Sequence, residues 1–428
     1  MSYISFVRDN SRWLAGGFLL TFFSTFGMTS FIALSAGDIR RDYGLSHGEF
    51  GTLYMFATLA SALSLPRLGQ IVDRYSAQKV VLLVVPMLAL ASASMALSQQ
   101  LVVLFVTIYV LRLFGQGMMV HAAYTATARW FSAQRGRALS TVILGHNAGD
   151  AIIPMAFVLI ATSVGWRNGW LLAAVALALI AVPAIALLVA ADRKPRSSDP
   201  AARQIDARDW TRAEVIRDPI FYFLLLGVMA PGLIVTTLFF HQVYLVELRG
   251  WSLEVFASSF LVTAVVNAAF TLVVGQLIDR FSGVSLLPFV LLPLGAACLL
   301  LGLVDAQWSA FGFMALLGIS NGLSTTLFGA IWPEVYGLRH LGSIRALIVS
   351  AGVLASAIGP GLTGYLIDAG VGYPGQIVAM GIYCFAISFV LLLASRRVRA
   401  KQCPGHACCG LSAASYFPEM PSTVSRRS

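Results

Sequence analysis

Two octapeptides decide how this chain is built: Gly69–Gln70–Ile71–Val72–Asp73–Arg74–Tyr75–Ser76 and, 206 positions later, Gly275–Gln276–Leu277–Ile278–Asp279–Arg280–Phe281–Ser282. Each follows a long apolar run and precedes another. A charged Asp–Arg pair at one place in two apolar halves predicts a chain built twice, with two water-facing turns. The same offset relates Ser46 to Ser252, Phe50 to Phe256, Gly136 to Gly342 and Pro154 to Pro360. Four further coincidences in register argue for duplication rather than chance.

The apolar runs name the solvent. Of 428 residues, 58% are hydrophobic and 11% charged, whereas a soluble domain carries about 25% charged residues. Runs near about 20 apolar residues recur along the whole length, the signature of bilayer-spanning helices. The expected fold class is therefore all-α and polytopic, with the lipid bilayer as partner. Twelve spans are expected, near 13–34, 49–69, 79–98, 101–125, 138–163, 168–191, 218–245, 253–275, 284–303, 308–331, 342–366 and 374–395. The first run is too long for a signal-peptide core of about 7–15 residues, and the repeat needs it as a helix. Domain organisation follows: an N-terminal six-helix bundle over 1–191, a polar linker over 192–217, a C-terminal six-helix bundle over 218–395, and a tail over 396–428 expected to be disordered.

Charge gives orientation. With both termini inside, 24 Lys and Arg residues fall on the cytoplasmic side and four on the other: Arg40, Arg41, Arg167 and Arg249. That asymmetry is the positive-inside pattern, which places both Asp–Arg turns in the cytoplasm and the chain in the cell (inner) membrane. The net charge of +10 thus reflects loop bias rather than a nucleic-acid partner. Two parallel six-helix halves imply a pseudo-two-fold axis along the membrane normal, with a central site between them.

With these features the chain resembles the major facilitator superfamily of secondary transporters over nearly its whole length. Gly69-x-x-x-Asp73-Arg74 is similar to that family's signature loop between helices 2 and 3, and Gly275-x-x-x-Asp279-Arg280 is its echo. Arg112-x-x-Gly115-x-Gly117 is similar to the family's helix 4 motif. Arg135–Gly136–Arg137–Ala138 and Gly165–Trp166–Arg167 are more like the branch carrying monocarboxylates and other organic anions. The chain departs from the drug/proton antiporter pattern, since Ile153 precedes Pro154 and span 1 lacks an acidic residue. The resemblance implies alternating access around a site lined by spans 1, 4, 7 and 10. It also implies that Asp73 caps the start of span 11 near Gly342 and Ser343; by the repeat, Asp279 would do the same near Gly136. A helix start attracts a carboxylate by about 0.3–1 kcal/mol, so the two would latch the cytoplasmic side. The bland alternative is a solvated turn charge.

Polar residues inside the spans are the candidate site. Arg112 lies about 11 residues into span 4, about 16 Å deep. A central Arg costs roughly 2.5–3.5 kcal/mol on insertion scales and normally faces a cavity or partner. His146 and Asp150, four apart in span 5, share a face, as do Arg112 and Gln116 by the same spacing. These four would form one polar patch, with Asp150 or His146 exchanging a proton and Arg112 holding a substrate anion. Alternatively Arg112 and Asp150 form a fixed ion pair. His241, near the outer end of span 7, and Asn321 in span 10 are further candidates for lining the path, against an interfacial or packing role. The Cys403-x-x-His406-x-Cys408–Cys409 cluster matches no strong zinc spacing, so neither metal nor cofactor is expected.

The leading function is secondary active transport of a small organic solute, most readily an organic anion, with a proton or other ion as coupling partner; a monomer is expected. Metabolite or drug efflux and uptake of a neutral aromatic metabolite or vitamin remain open within transport. A non-transporting membrane sensor is the alternative of another class, although the linker of 26 residues leaves little room for a signalling domain. An enzyme is not expected, because no P-loop, metal motif or nucleophile motif lies on a soluble segment.

Overall fold

A computed structural model describes residues 3–131, 135–191, 193, 210–337 and 341–402. Among them there is no strand. In a bilayer every backbone N–H and C=O must be satisfied within its own segment, which leaves helices for a chain of this pattern. The spans are α1 (Ser11–Gly27 with Thr29–Tyr43), α2 (His47–Val72), α3 (Ala77–Leu97), α4 (Leu101–Trp130), α5 (Arg135–Val164) and α6 (Trp166–Leu188). The second set is α7 (Pro219–Phe240), α8 (Leu253–Gly275), α9 (Gly283–Leu303), α10 (Ser309–Tyr336), α11 (Leu341–Asp368) and α12 (Tyr373–Gln402). The chain is a multi-pass membrane protein. Leu63, Val102 and Leu179 are each more than 70% exposed, a cost in water and none in lipid.

Helix ends follow local chemistry. Ser46 and Glu49 form a capping box at the start of α2. Asp218 accepts from the Ile220 N–H ahead of Pro219, the first residue of α7. The helix running out of α1 ends on Gly44 at φ +65°, a left-handed cap that favours glycine.

Three features differ from the sequence reading. First, α1 is longer than 13–34 and broken, with its two parts bent by 44° around extended Met28 (φ −80°, ψ 151°). Second, α12 runs to Gln402, so residues 396–402 are helix and not the start of a disordered tail. Arg399 sits in the last turn, where the helix dipole favours cations. Third, the linker contains a short helix, Arg212–Arg217, with its own capping box, and the Trp210 N–H donates to the Tyr336 carbonyl at the end of α10. The other linker residues, Arg193 apart, and the tail from 403 on, with its Cys and His cluster, lie outside the described residues.

Buried apolar side chains gather in two clusters. One spans Phe6 to Val189 and takes in Phe240 and Ala257; the other spans Val215 to Val398. The first cluster borrows across the sequence because the Phe240 ring packs 5.1 Å from Phe50 and 4.7 Å from Tyr54.

The two sequence halves meet along two seams, α2 with α11 and α5 with α8. At the end of the bundle opposite the termini, α2 and α11 touch backbone to backbone. A Cβ on Gly51 would lie 2.7 Å from the Pro360 carbonyl oxygen, and one on Gly364 would lie 2.5 Å from that of His47. Only glycine permits this approach. The Gly359–Pro360–Gly361-x-x-Gly364 stretch is thus a close helix crossing. The two halves are therefore closed against each other on the face opposite the termini.

Candidate functional site

The site grows from the break in α1. Gly27 stands against α4, where a Cβ would meet the Leu111 carbonyl oxygen and come within 2.6 Å of the Gly115 Cα. Over Leu111–Met119 the α4 backbone is π-helical, a feature common at functional sites. The interrupted α1 and the widened α4 therefore face each other at one depth.

Arg112 occupies this junction. It is 5% exposed. Its Nη1 donates to the Gly27 carbonyl at 3.3 Å and to Thr29 Oγ1 at 3.1 Å. Gly27 ends the first part of α1, so the guanidinium supplies a cation where that helix leaves carbonyls without partners. Its Cζ lies 5.5 Å from the centre of the Tyr54 ring, and the Tyr54 hydroxyl donates to Thr29 Oγ1 at 2.7 Å. Nε–H has no partner. Among the described residues no carboxylate pairs with Arg112.

Asp150 is held separately. Its Oδ1 accepts from Thr25 Oγ1 at 3.3 Å, and its Oδ2 lies 3.5 Å from His146 Nε2. Both side chains are about a third exposed, at 30% for His146 and 33% for Asp150. His146 Nδ1 is buried without a partner.

The expected patch of Arg112, Gln116, His146 and Asp150 is thus two clusters. Arg112 and Asp150 form no ion pair; α1 lies between them, offering Thr25 to one and Gly27 and Thr29 to the other. Gln116 does not share Arg112's face, since it is exposed while Arg112 is buried. The cause is the π segment, in which the residue five along, rather than four, stacks over a given position. Gly117 fills that place, and a Cβ there would lie 3.5 Å from the Arg112 carbonyl oxygen.

His241 is buried at the end of α7, with Nε2 3.1 Å from the Pro360 carbonyl. Its ring centre lies 6.0 Å from that of His47 and 5.6 Å from that of Tyr373. This places it inside the closed seam rather than on an open entrance. Asn321 is half-buried on α10, where its carbonyl accepts from Thr325 Oγ1 at 2.8 Å.

The two octapeptides, near copies in sequence, end differently. The first is helical to Arg74 and turns extended at Tyr75. The second is helical to Phe281 and turns at Ser282 with φ +67°. Arg74 reaches Gln70 Oε1 at 3.5 Å, and Arg280 sits 5.2 Å from the Phe281 ring centre. Gly69 is buried, and a Cβ there would lie 3.4 Å from His121 Nε2, whereas Gly275 has nothing within 4 Å. The side chains of Asp73 and Asp279, and those at their expected targets Gly342, Ser343 and Gly136, lie outside the described residues.

Sequence reasoning missed the groups that α1 and the seams supply: Thr25, Thr29, Tyr54, Asn147, Asn267 and Asp368. Asn267 Nδ2 donates to Asn147 Oδ1 at 3.1 Å, joining α8 to α5. The available signal was a Thr25-x-Gly27-x-Thr29 run inside an apolar helix, where small and polar residues mark a break.

Comparison with known proteins gives the frame for this geometry. The sequence profile described as Major Facilitator Superfamily matches residues 17–360. No curated protein matches the chain by sequence. Among solved structures, it is similar to a bacterial homologue of the human lysosomal transporter Spinster, inward-facing and unoccupied. The TM-score is 0.71 and the identity 17%, covering 91% of this chain and 98% of that one. The same homologue, inward-facing and occupied, is similar with a TM-score of 0.65 and 16% identity, over 94% of this chain and 97% of that one. At such identity the likeness is one of fold.

Proposed function

The chain belongs to the Major Facilitator Superfamily and is a secondary transporter; on that premise we propose that it moves a small organic anion with proton symport by alternating access. The observation that carries this reading is Arg112, a buried guanidinium at mid-span with carbonyl, hydroxyl and ring partners but no carboxylate. A positive charge in that position is costly, and an anionic solute would lower the cost. The solute's carboxylate would take the unpartnered Nε–H and compete with Gly27 and Thr29 for Nη1, so binding would loosen the joint in α1. Asp150 with His146 would carry the proton, since both are partly exposed and touch the same broken helix through Thr25. An imidazole is in general the side chain suited to exchanging a proton near neutral pH.

In this reading residues 1–191 and 218–395 act as two six-helix bundles joined by the 192–217 linker. The excess of Lys and Arg on the terminal side supports cytoplasmic termini and placement in the cell inner membrane. The Asp73 and Asp279 turns would then latch the cytoplasmic face when it closes.

Uptake into proteoliposomes under an imposed proton gradient tests the proposal. Carboxylate uptake is expected to accelerate with acid outside and to vanish in Arg112→Ala. A carboxylate flux indifferent to the gradient would remove symport, and stabilisation by neutral solutes alone in a thermal-shift screen would remove the anionic class.

A further inference from the structure

Asp368 ends α11, and its carboxylate does not serve its own half. Oδ2 accepts from Ser46 Oγ at 2.7 Å and from the Gly48 N–H at 2.7 Å, while Oδ1 accepts from the His47 N–H at 3.2 Å. The His47 and Gly48 N–H groups are the first backbone donors inside α2, which no helical carbonyl can satisfy. The remaining ones are served locally: Ser46 N–H donates to Glu49 Oε2 at 2.9 Å and Glu49 N–H to Ser46 Oγ at 3.1 Å. The N-terminus of α2 is therefore complete only when α11 lies against it.

On its own helix Asp368 is misplaced. A helix C-terminus carries partial negative charge and favours cations, so a carboxylate there is locally unfavourable. It becomes favourable at the positive end of α2, across the seam. A residue that breaks a local rule and is satisfied only by a distant partner is the pattern expected of a functional contact.

The pseudo-equivalent seam lacks this device. The 206-residue offset maps Ser46 to Ser252 and Asp368 to Thr162. Ser252 caps its own helix through the Val255 N–H at 3.3 Å and donates to neighbouring Glu254. Thr162 Oγ1 donates to the Leu159 carbonyl within α5. Among the described residues no carboxylate crosses at that corner.

We propose that Asp368 is a one-sided latch that holds the bundle closed on the face opposite the termini, and that its release from the α2 N-terminus is a required step in opening that face. The inference rests on the alternating-access reading, since a latch has meaning only if the face opens. The contact exists in one state and is lost in the other, so it shifts the balance between them by its own free energy.

The test is the distance between spin labels at Arg41→Cys and Val371→Cys, both exposed, with the five native cysteines replaced. Wild type is expected to show a dominant short distance and a minor long one. Asp368→Ala should raise the long-to-short ratio about tenfold, and Asp368→Asn, which keeps an acceptor but loses the charge, by less. Monodisperse elution in detergent confirms folding; if either variant fails it, Ser46→Ala is read in its place and should shift the ratio in the same direction. Distributions identical to wild type in folded variants would overturn the latch. A wild type locked in one distance under every solute and gradient condition would instead overturn alternating access.

Discussion

Arg112 and Tyr54 both donate to the single hydroxyl of Thr29, at 3.1 Å and 2.7 Å. One side chain, just past the break in α1, thus ties α1 to α4 and α2 together. Thr29→Val keeps the shape and removes the acceptor. It leaves a buried guanidinium and a buried phenol each short of a partner, at a cost of about 1.5–3 kcal/mol. Thr29→Ser keeps the oxygen and should stay close to wild type. Thermal unfolding in detergent, read beside solute uptake, checks both; a Val variant as stable as wild type would show that the contact carries no energy.

Gly27 and Gly115 allow α1 and α4 to approach so closely that a Cβ on either would lie 2.6 Å from the other's Cα. Both obstacles are backbone and neither can rotate away. Gly27→Ala or Gly115→Ala should therefore force the helices apart, at about 1–3 kcal/mol each. Gly375→Ala is the control, since nothing lies within 4 Å of a Cβ there, and a helical Gly→Ala change should gain about 0.5–1 kcal/mol. Melting temperatures of the three variants should separate by sign.

Asp150 touches His146 and Thr25 but not Arg112. If it carries the proton, Asp150→Asn should abolish gradient-driven uptake while leaving exchange of labelled for unlabelled solute, which needs no net proton movement. Loss of both activities would assign Asp150 to solute binding or to the fold. Preservation of the gradient response would move proton coupling to another group.

Much of the fold was legible because its signals are strong and local. Apolar runs found the spans, and the shared 206-residue offset found the duplication. The breaks were less legible. Thr25-x-Gly27-x-Thr29 marks the one at Met28 only weakly, and the π segment from Leu111 carries no Pro; both arise where Gly27 and Gly115 bring two backbones together, a tertiary cause. The site suffered for the same reason. Four-residue spacing placed Gln116 over Arg112, but the π turn moved Gly117 there instead. Asp368 was visible as an acidic residue at the end of a span, yet its partner lies more than 300 positions away in sequence, beyond the reach of any local pattern.

The Asn147–Asn267 bond joins α5 to α8 at 3.1 Å, and it has no counterpart in the repeat, which places Val353 and Ser61 at the matching positions. The α2–α11 seam is held by backbone contact and by Asp368, so the two seams are joined by different means. An amide pair between helices in a bilayer contributes about 0.6 kcal/mol on average in double-mutant cycles. Asn147→Ala and Asn267→Ala should each lower stability modestly, and the double variant should lose less than the sum by about that amount. If the pair also serves as the pivot while the other seam opens, both single variants should broaden the distance distribution between labels on α5 and α8. Strict additivity in stability together with unchanged distances would make the pair incidental, leaving this seam to apolar packing alone.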